Sequence, residues 1–565
     1  MNRSLHTRLA SFGLTIGLIV SMLVHSALAA EMDLLRLVRP EVGLCVSASG
    51  WNPGVKQPNA WFQRVKESPL YRGWQASRDY QKLRRSIAKL EGRLGQPAWG
   101  FLRDMTAGGV VLAVYPRLES EPVSVLLMQA DDATTMETGI NLWNEMEHAV
   151  LETEMVGNEL YIRRTTSKSA DNNVVQFYAH RGALFVLTDD ESTLRTTLEA
   201  SAKAENENLT AAGWFQTGQA ALPPDCGVKA YFNPRAWDAA VQLPERPKFG
   251  ERQIFKLWNE CESVVLGLKV QRGVSLEGVA SFDFAKTNKP IEQEPNSVSA
   301  FRRHLPEDAW FVYTGKLNLV DCLHALRMEL PEKDRREFDN LRQIGRGFFL
   351  GHDLLDDVLT ALGPNFACYV TPRADMEDNV PPINGVFALE FRTLAEPKEN
   401  AIPIKTAVDR GLQTGWGILA ALVDPSSRLR IENDLCWIDS FGPWQPAFLV
   451  TDEFLILATA PDAIRKFVDA EAQDNPPKAV VGLPARSTAD QQILVNLHAV
   501  RSFLANHENV FVQRIAANSP LSAEEIGRRL RRALAASEVF DALFMTVDLK
   551  ADQLRVTIGG AVDSE

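Results

Sequence analysis

The chain has none of the short motifs that mark common chemistries. No CxxC occurs, which removes the usual redox-dithiol and zinc-ribbon signals. GxSxG, HExxH and the GxxxxGKS/T loop are also absent, so the nucleophile elbow, the zinc-protease helix and the phosphate-cradling loop have no support. After the first thirty residues no apolar run reaches the roughly 20 residues that cross a bilayer. Basic residues are short as well: 60 Lys and Arg face 72 Asp and Glu, a net charge of −12. That balance disfavours nucleic acid and anionic membrane surfaces as partners and favours solubility. Apolar content of 45% is ordinary for a folded protein and argues against wholesale disorder.

The first thirty residues carry a targeting pattern. Arg3 and Arg8 supply a positive start, Leu9 to Val24 is apolar, and Ala27-Leu28-Ala29 gives the small-x-small pattern of a cleavage site. Residues 1–30 are therefore expected to be a signal peptide cut after Ala29 or Ala30. The mature chain, its net charge then −14 because Arg3 and Arg8 leave, would be periplasmic or secreted, with no transmembrane span. The first cysteine, Cys45, lies too far on for a lipoprotein anchor.

What is present in abundance is self-similarity. Gln176 to Ala200 (QFYAHRGALFVLTDDESTLRTTLEA) aligns without a gap on Pro446 to Ala470 (PAFLVTDEFLILATAPDAIRKFVDA). Leu184 falls on Phe454, Val186 on Ile456, Arg195 on Arg465 and Leu198 on Val468. Further blocks follow in the same order: Arg39 to Val46 with Leu305 to Val312, Phe101 to Arg117 with Leu354 to Arg373, and Asn158 to Ile162 with Asn433 to Trp437. Apolar positions persist while polar ones drift, the pattern of a duplicated fold.

These blocks predict an α+β chain: two tandem copies of a mixed, largely antiparallel sheet-plus-helix unit, each followed by a smaller strand-helix-hairpin unit. The expected halves are residues 31–285 (large unit 31–210, small unit 211–285) and 300–565 (large unit 300–471, small unit 479–565). The proline-bearing polar linker 286–299 separates them, and EAQDNPPK (471–478) and LPERPK (243–248) read as further loops. Three- and four-residue spacing of Tyr80, Leu83, Ile87, Leu90 and Leu94 predicts a helix over Leu70 to Leu94, stopped by Gly95. Capping-box spacing predicts helices after Ser522 and after Thr188. Period-two spacing predicts strand pairs at 174–180 with 183–188 and at 447–450 with 454–458. Hairpins are expected across Gln271–Gly273 and Lys550–Gln553.

Chemistry is harder to place. Cys45, Cys368 and Cys436 align with Phe311, Leu112 and Tyr161, so these cysteines read as buried free thiols. His180 and His304 align with Val450 and Val38 and read as solvated or satisfied residues. The densest polar cluster is His352, Asp353, Asp356 and Asp357. On a helix, His352 would share a face with Asp356 and Asp353 with Asp357, a spacing that could supply metal ligands; the competing reading is an acidic helix start. Gly345-Arg346-Gly347-Phe348-Phe349-Leu350-Gly351 misses GxGxxG by one residue, and Arg528 to Arg532 reads as a solvated helix face.

The strand at Arg39 to Ser47, the SPLYRGWQASRDYQKL helix (68–83), GGVVLAVYP (108–116) and ALFVLTDDESTLR (183–195) together resemble a family of exported bacterial proteins known only as a domain of unknown function. LGPNFACYVTP (362–372) echoes it in the second half. The resemblance implies a fold and no catalytic residues. The expectation is a non-enzymatic binding or envelope-associated structural protein without a cofactor, with a protein or cell-envelope partner. The alternative is a metal-dependent or other hydrolase with a single active lobe, using the His352 cluster.

Overall fold

Alternating apolar residues build antiparallel ladders, and the ladders define two units. The computed structural model describes residues 34–49, 60–118, 121–156, 159–169, 172–200, 208–240, 249–270, 273–283, 301, 304–316, 318–373, 382–392, 402–423, 426–439, 444–469, 489–550 and 552–562. The chain divides into Met1–Ile291 with Leu549–Gly559, and Glu292–Asp548 with Gly560–Glu565. Segments 1–30, 243–248, 286–299 and 471–478, and the turn residues Gln271 and Arg272, lie outside the described residues.

The strands of the first unit are β1 (Leu44–Ala48), β2 (Gly109–Tyr115), β3 (Val123–Gln129), β4 (Val150–Val156), β5 (Glu159–Ser169), β6 (Asn172–Arg181), β7 (Leu184–Thr188), β8 (Val228–Phe232), β9 (Cys261–Val270) and β10 (Gly273–Phe282). Antiparallel pairing orders them β4-β5-β6-β7-β3-β2-β1-β8-β9-β10. The C-terminal strand, Gln553–Ala561, pairs with β10. The sequence places 549–559 in the half 300–565, whereas in the structure these residues group with the first unit.

Both faces of this sheet carry a core. Cys45, Val111, Ala113, Val125, Leu127, Tyr161, Ala179 and Val186 pack with Leu194 and Phe215 on one side. Tyr178 and Phe185 pack with Phe101, Met105, Met136 and Ile140 on the other. The helices of this unit lie between and after the strands. They are α1 (Ala60–Glu67), α2 (Pro69–Gln75), α3 (Arg78–Leu94), α4 (Ala98–Met105), α5 (Ala133–Met146), α6 (Glu191–Ala200), α7 (Gly213–Ala221) and α8 (Phe249–Glu260).

Two local expectations need correction. The helix expected over Leu70–Leu94 is broken, because Ser77 accepts a hydrogen bond from the Tyr80 amide at 3.2 Å and starts a new helix there. Ser68 caps α2 in the same way, accepting from the Tyr71 amide. An N-cap is worth about 1 kcal/mol, enough to divide a continuous apolar stripe into two helices. Gly95 ends α3 in the left-handed conformation, φ +66°, as a helix-stopping glycine does. At α6 the cap is Asp190 rather than Thr188: its carboxylate accepts from the Thr193 amide at 2.8 Å.

The second unit holds β11 (Phe311–Lys316), β12 (Leu362–Pro372), β13 (Ile383–Phe391), β14 (Arg428–Glu432), β15 (Leu435–Asp439), β16 (Ala447–Val450), β17 (Phe454–Ala458), β18 (Gln491–Asn496) and β19 (Ala542–Leu549). Antiparallel pairing orders them β14-β15-β16-β17-β13-β12-β11-β18-β19. Its main helices are α9 (Leu319–Glu329), α10 (Glu332–Phe348), α11 (Ile404–Val423), α12 (Pro461–Asp469), α13 (Leu497–Asn506), α14 (Glu508–Ala517) and α15 (Ala523–Ser537). Val312, Ala367, Tyr369, Val386, Ala388 and Ile456 pack with Ile464 and Phe467 of α12. Cys436, Phe448, Val450 and Leu455 pack with Val408 of α11 on the other face. Ser522 caps α15 as the sequence predicts, accepting from the Glu525 amide at 3.2 Å. Ladders interleaved with helices make the chain α+β. Among the described residues no helix is long and apolar enough to cross a membrane.

Candidate functional site

The His352 cluster does not form the expected helical face. Leu350 and Gly351 take left-handed backbone angles, φ +52° and +94°, and the following turn starts only at Leu354. Asp353 caps that turn, accepting from the amides of Leu355 (2.9 Å) and Asp356 (3.1 Å). Arg342 donates to both Asp353 carboxylate oxygens at 2.7 Å, and Arg346 adds a bond at 3.0 Å. Arg342 also pairs with Asp356. The Asp353 amide donates to Asp357 at 2.7 Å. His352 Nε2 lies 2.9 Å from the carbonyl oxygen of Ile402, so that nitrogen holds the proton.

Burial alone would raise the Asp353 carboxyl. The Arg342 guanidinium and the amides of Asp356 and Leu355 outweigh it and hold the group at about 2. The cluster thus joins α10 to the Leu354 turn by charge and capping. Among the described residues no group of three or more His, Cys, Asp or Glu side chains could hold a metal ion.

The other sequence candidates also resolve into local structure. The glycine-bearing stretch 345–351 is the end of α10 and its left-handed exit. His180 is exposed at the end of β6. His304 is 2% exposed, with Nδ1 2.9 Å from the Phe467 carbonyl and its ring stacked 4.4 Å from that of Phe467. Arg528 and Arg529 pair with Glu525, and Arg531 with Glu508. Cys45, Cys226, Cys261, Cys368 and Cys436 are free thiols. Burial, with nearby Glu277 and Asp225, pushes the Cys226 thiol up to about 11; burial, with Asp409 and Asp434, does the same for Cys436.

The structure assembles one polar cluster that no motif announced. Tyr161 on β5 is fully buried, and its single hydroxyl proton lies between two carboxylates: Glu154 Oε2 of β4 at 2.7 Å and Glu191 Oε1 of α6 at 2.6 Å. Arg195 donates to the Tyr161 oxygen at 3.0 Å and pairs with Glu191. Burial first, then Glu191 and Glu154, push the phenol up to about 12. The alignment of Tyr161 with Cys436 flagged a core position, which it is; the partners come from separate elements and left no spacing to read.

A shallow cleft lies beside this cluster, along α6. Ala179, Leu184, Val186 and Leu198 form an apolar floor, with His180 and the Arg181–Glu159 ion pair at the rim. A phenol protonated to about pH 12, flanked by a carboxylate already paired with arginine, makes a poor base and a poor nucleophile. The arrangement suits packing and the docking of a small apolar group. No protein-family model, curated protein or solved structure matches the chain.

Proposed function

We propose that this is an exported, non-enzymatic binding or structural protein of the cell envelope, built from two tandem copies of one α+β scaffold. One correspondence carries the reading. The strand order 4-5-6-7-3-2-1-8-9 of the first unit recurs as 14-15-16-17-13-12-11-18-19 in the second, each strand number raised by ten. The polar groups recur only in part: Arg195 and the aligned Arg465 each pair with an acidic residue of their own helix, and the larger clusters differ. Tyr161 with its carboxylates stands where the second unit has the buried thiol Cys436, and the Arg342–Asp353 cluster has no aligned partner in the first. Duplicated packing with divergent polar groups is what a scaffold leaves behind. The Arg3–Ala30 pattern and the resemblance of blocks 39–47, 68–83, 108–116 and 183–195 to exported bacterial proteins support export.

The test is to recover the chain from the fractionated cell and determine its N-terminal mass. A start at Ala30 or Glu31 in the periplasmic or culture fraction is expected; an intact Met1 chain confined to the cytoplasm overturns export. Metal analysis tests the second half of the reading. Stoichiometric metal that is lost in a His352→Ala, Asp356→Ala variant overturns a non-enzymatic role for that cluster.

A further inference from the structure

The helical arm α1–α3 departs from the charge of the rest of the chain. Residues 60–94 hold nine basic residues (Arg64, Lys66, Arg72, Arg78, Lys82, Arg84, Arg85, Lys89, Arg93) and three acidic ones (Glu67, Asp79, Glu91), a net +6 inside a chain of net −12. Five of the basic residues, Arg78, Lys82, Arg85, Lys89 and Arg93, recur at helical spacing and form one stripe of α3. At 1.5 Å per residue that stripe is about 22 Å long. Tyr80, Leu83, Ile87, Leu90 and Leu94 occupy the opposite face and are half-buried. The basic stripe is exposed, and among the described residues its one carboxylate partner is Asp79, 3.9 Å from Lys82.

The segment at the equivalent place in the second unit's order, α9–α10 between β11 and β12, provides a contrast. Residues 319–348 hold six basic and six acidic residues, net zero. Their arginines are engaged: Arg327 with Asp339, Arg336 with Glu332, Arg342 and Arg346 with Asp353, and Arg335 with the Met328 carbonyl. Among the described residues, a row of arginine and lysine with Lys82–Asp79 as its one ion pair therefore sets the first unit's arm apart from α9–α10.

The same arm exposes large apolar side chains. Phe62 is 45%, Leu70 54% and Trp74 45% exposed, and Trp74 stands against Tyr71 and Tyr80 in an aromatic group. Basic residues beside exposed Trp, Phe and Leu fit the boundary between water and an anionic bilayer. A soluble polyanion would use the charges and leave the apolar side chains in water, so the combination favours a lipid surface.

We infer that residues 60–94 form a peripheral docking surface for an anionic phospholipid membrane, held by the basic stripe of α3 and anchored by Phe62, Leu70 and Trp74. The net negative charge of the chain, which on its own disfavours such a partner, is carried outside this arm. The inference deepens the envelope reading and rests on it for location alone.

Vesicle co-flotation of the full chain tests it, with phosphatidylcholine vesicles against phosphatidylcholine–phosphatidylglycerol vesicles. Binding to the mixed vesicles alone, weakened by salt, is expected. The variant Arg78→Gln, Lys82→Gln, Arg85→Gln, Lys89→Gln, Arg93→Gln should bind about a hundredfold more weakly or worse. The variant Phe62→Ser, Leu70→Ser, Trp74→Ser should lose about tenfold. The N-terminal segment is common to all three chains, so its contribution cancels in the comparison. Circular dichroism melting curves should superimpose, since every substituted side chain in the first variant is exposed. Equal binding to both vesicle types, unchanged binding by the glutamine variant, or tight binding to dextran sulfate with none to vesicles overturns the proposal. A processed N-terminus in the periplasmic fraction combined with no vesicle binding would sink this inference and leave export standing; the opposite pair of results would do the reverse.

Discussion

The guanidinium of Arg164 lies 3.7 Å over the indole of Trp143, and the arginine is fully buried. Its three nitrogens are all engaged: Nε donates to Asn144, Nη1 to Gln176 and Nη2 to Glu147, each at 2.8 Å. Asn144 in turn donates to the Tyr178 hydroxyl at 3.0 Å. One side chain on β5 thereby ties the end of α5 to β6. A buried charge survives only with such full pairing.

Arg164→Ala leaves the buried Asn144 and half-buried Gln176 oxygens without this donor, returns the exposed Glu147 carboxylate to water and opens the space over Trp143. The expected cost is about 3–5 kcal/mol to the first unit. Arg164→Lys keeps the charge but cannot reproduce the fork or the stack, and should recover less than half of that loss. Chemical denaturation followed by tryptophan fluorescence reads both; an Ala variant as stable as the parent would remove this network from the fold's support.

Asp353 predicts an acid-sensitive step. Its folded carboxyl lies at about 2 against an ordinary 3.8, so its contribution is present above pH 3.8 and is lost as pH falls towards 2. The size should be of order 1 kcal/mol once screening around half-exposed Arg346 is allowed for. Acid titration of Asp353→Asn should lack this component between pH 4 and pH 2; a variant that titrates like the parent contradicts the assignment.

The thiols should be inert in the folded chain. Cys45, Cys226, Cys261 and Cys436 are buried, and Cys226 and Cys436 sit at about 11. Maleimide labelling at neutral pH followed by peptide mass spectrometry should leave these four unmodified in the native protein and modify them in denaturant. Rapid native labelling of Cys436 would show that the strand covering it opens.

The C-terminal strand should support the first unit. Arg555 pairs with Glu277 of β10 and donates to the Ala221 carbonyl at 2.8 Å at the end of α7. The Glu277 side chain is 15% exposed, and burial, the largest influence, raises its carboxyl. Arg555→Ala should lower amide-exchange protection in Gly273–Phe282 by about tenfold or more, because it leaves that carboxylate poorly compensated. Protection that is unchanged in β10 would mean the strand rests there without holding it.

Much of the scaffold was legible in the chain. Alternating residues located β6, β7, β16 and β17, and Ser522 with Glu525 located the start of α15, because strand faces and caps depend on neighbours a few residues apart. The single helix expected over Leu70–Leu94 failed for an equally local reason: Ser77 offered a cap inside a continuous apolar stripe.

The polar clusters were not legible. His352, Asp353, Asp356 and Asp357 left open a ligand spacing or an acidic helix start; Asp353 caps the turn as the second reading has it, while the Arg342 and Arg346 side chains that engage it belong to another helix. Tyr161 read as a core position, yet its partners Glu154, Glu191 and Arg195 converge from β4 and α6. The basic stripe of α3 was in the sequence throughout but was averaged away by the charge of the whole chain.

The sequence by itself determined most of the local elements and the faces they bury, since periodicity and capping are short-range properties. Only the tertiary structure decided which charges neutralise one another, which remain exposed on α3, and that residues 549–559 belong with the first unit. Those outcomes turn on distances between side chains far apart in the chain, which spacing along it does not encode.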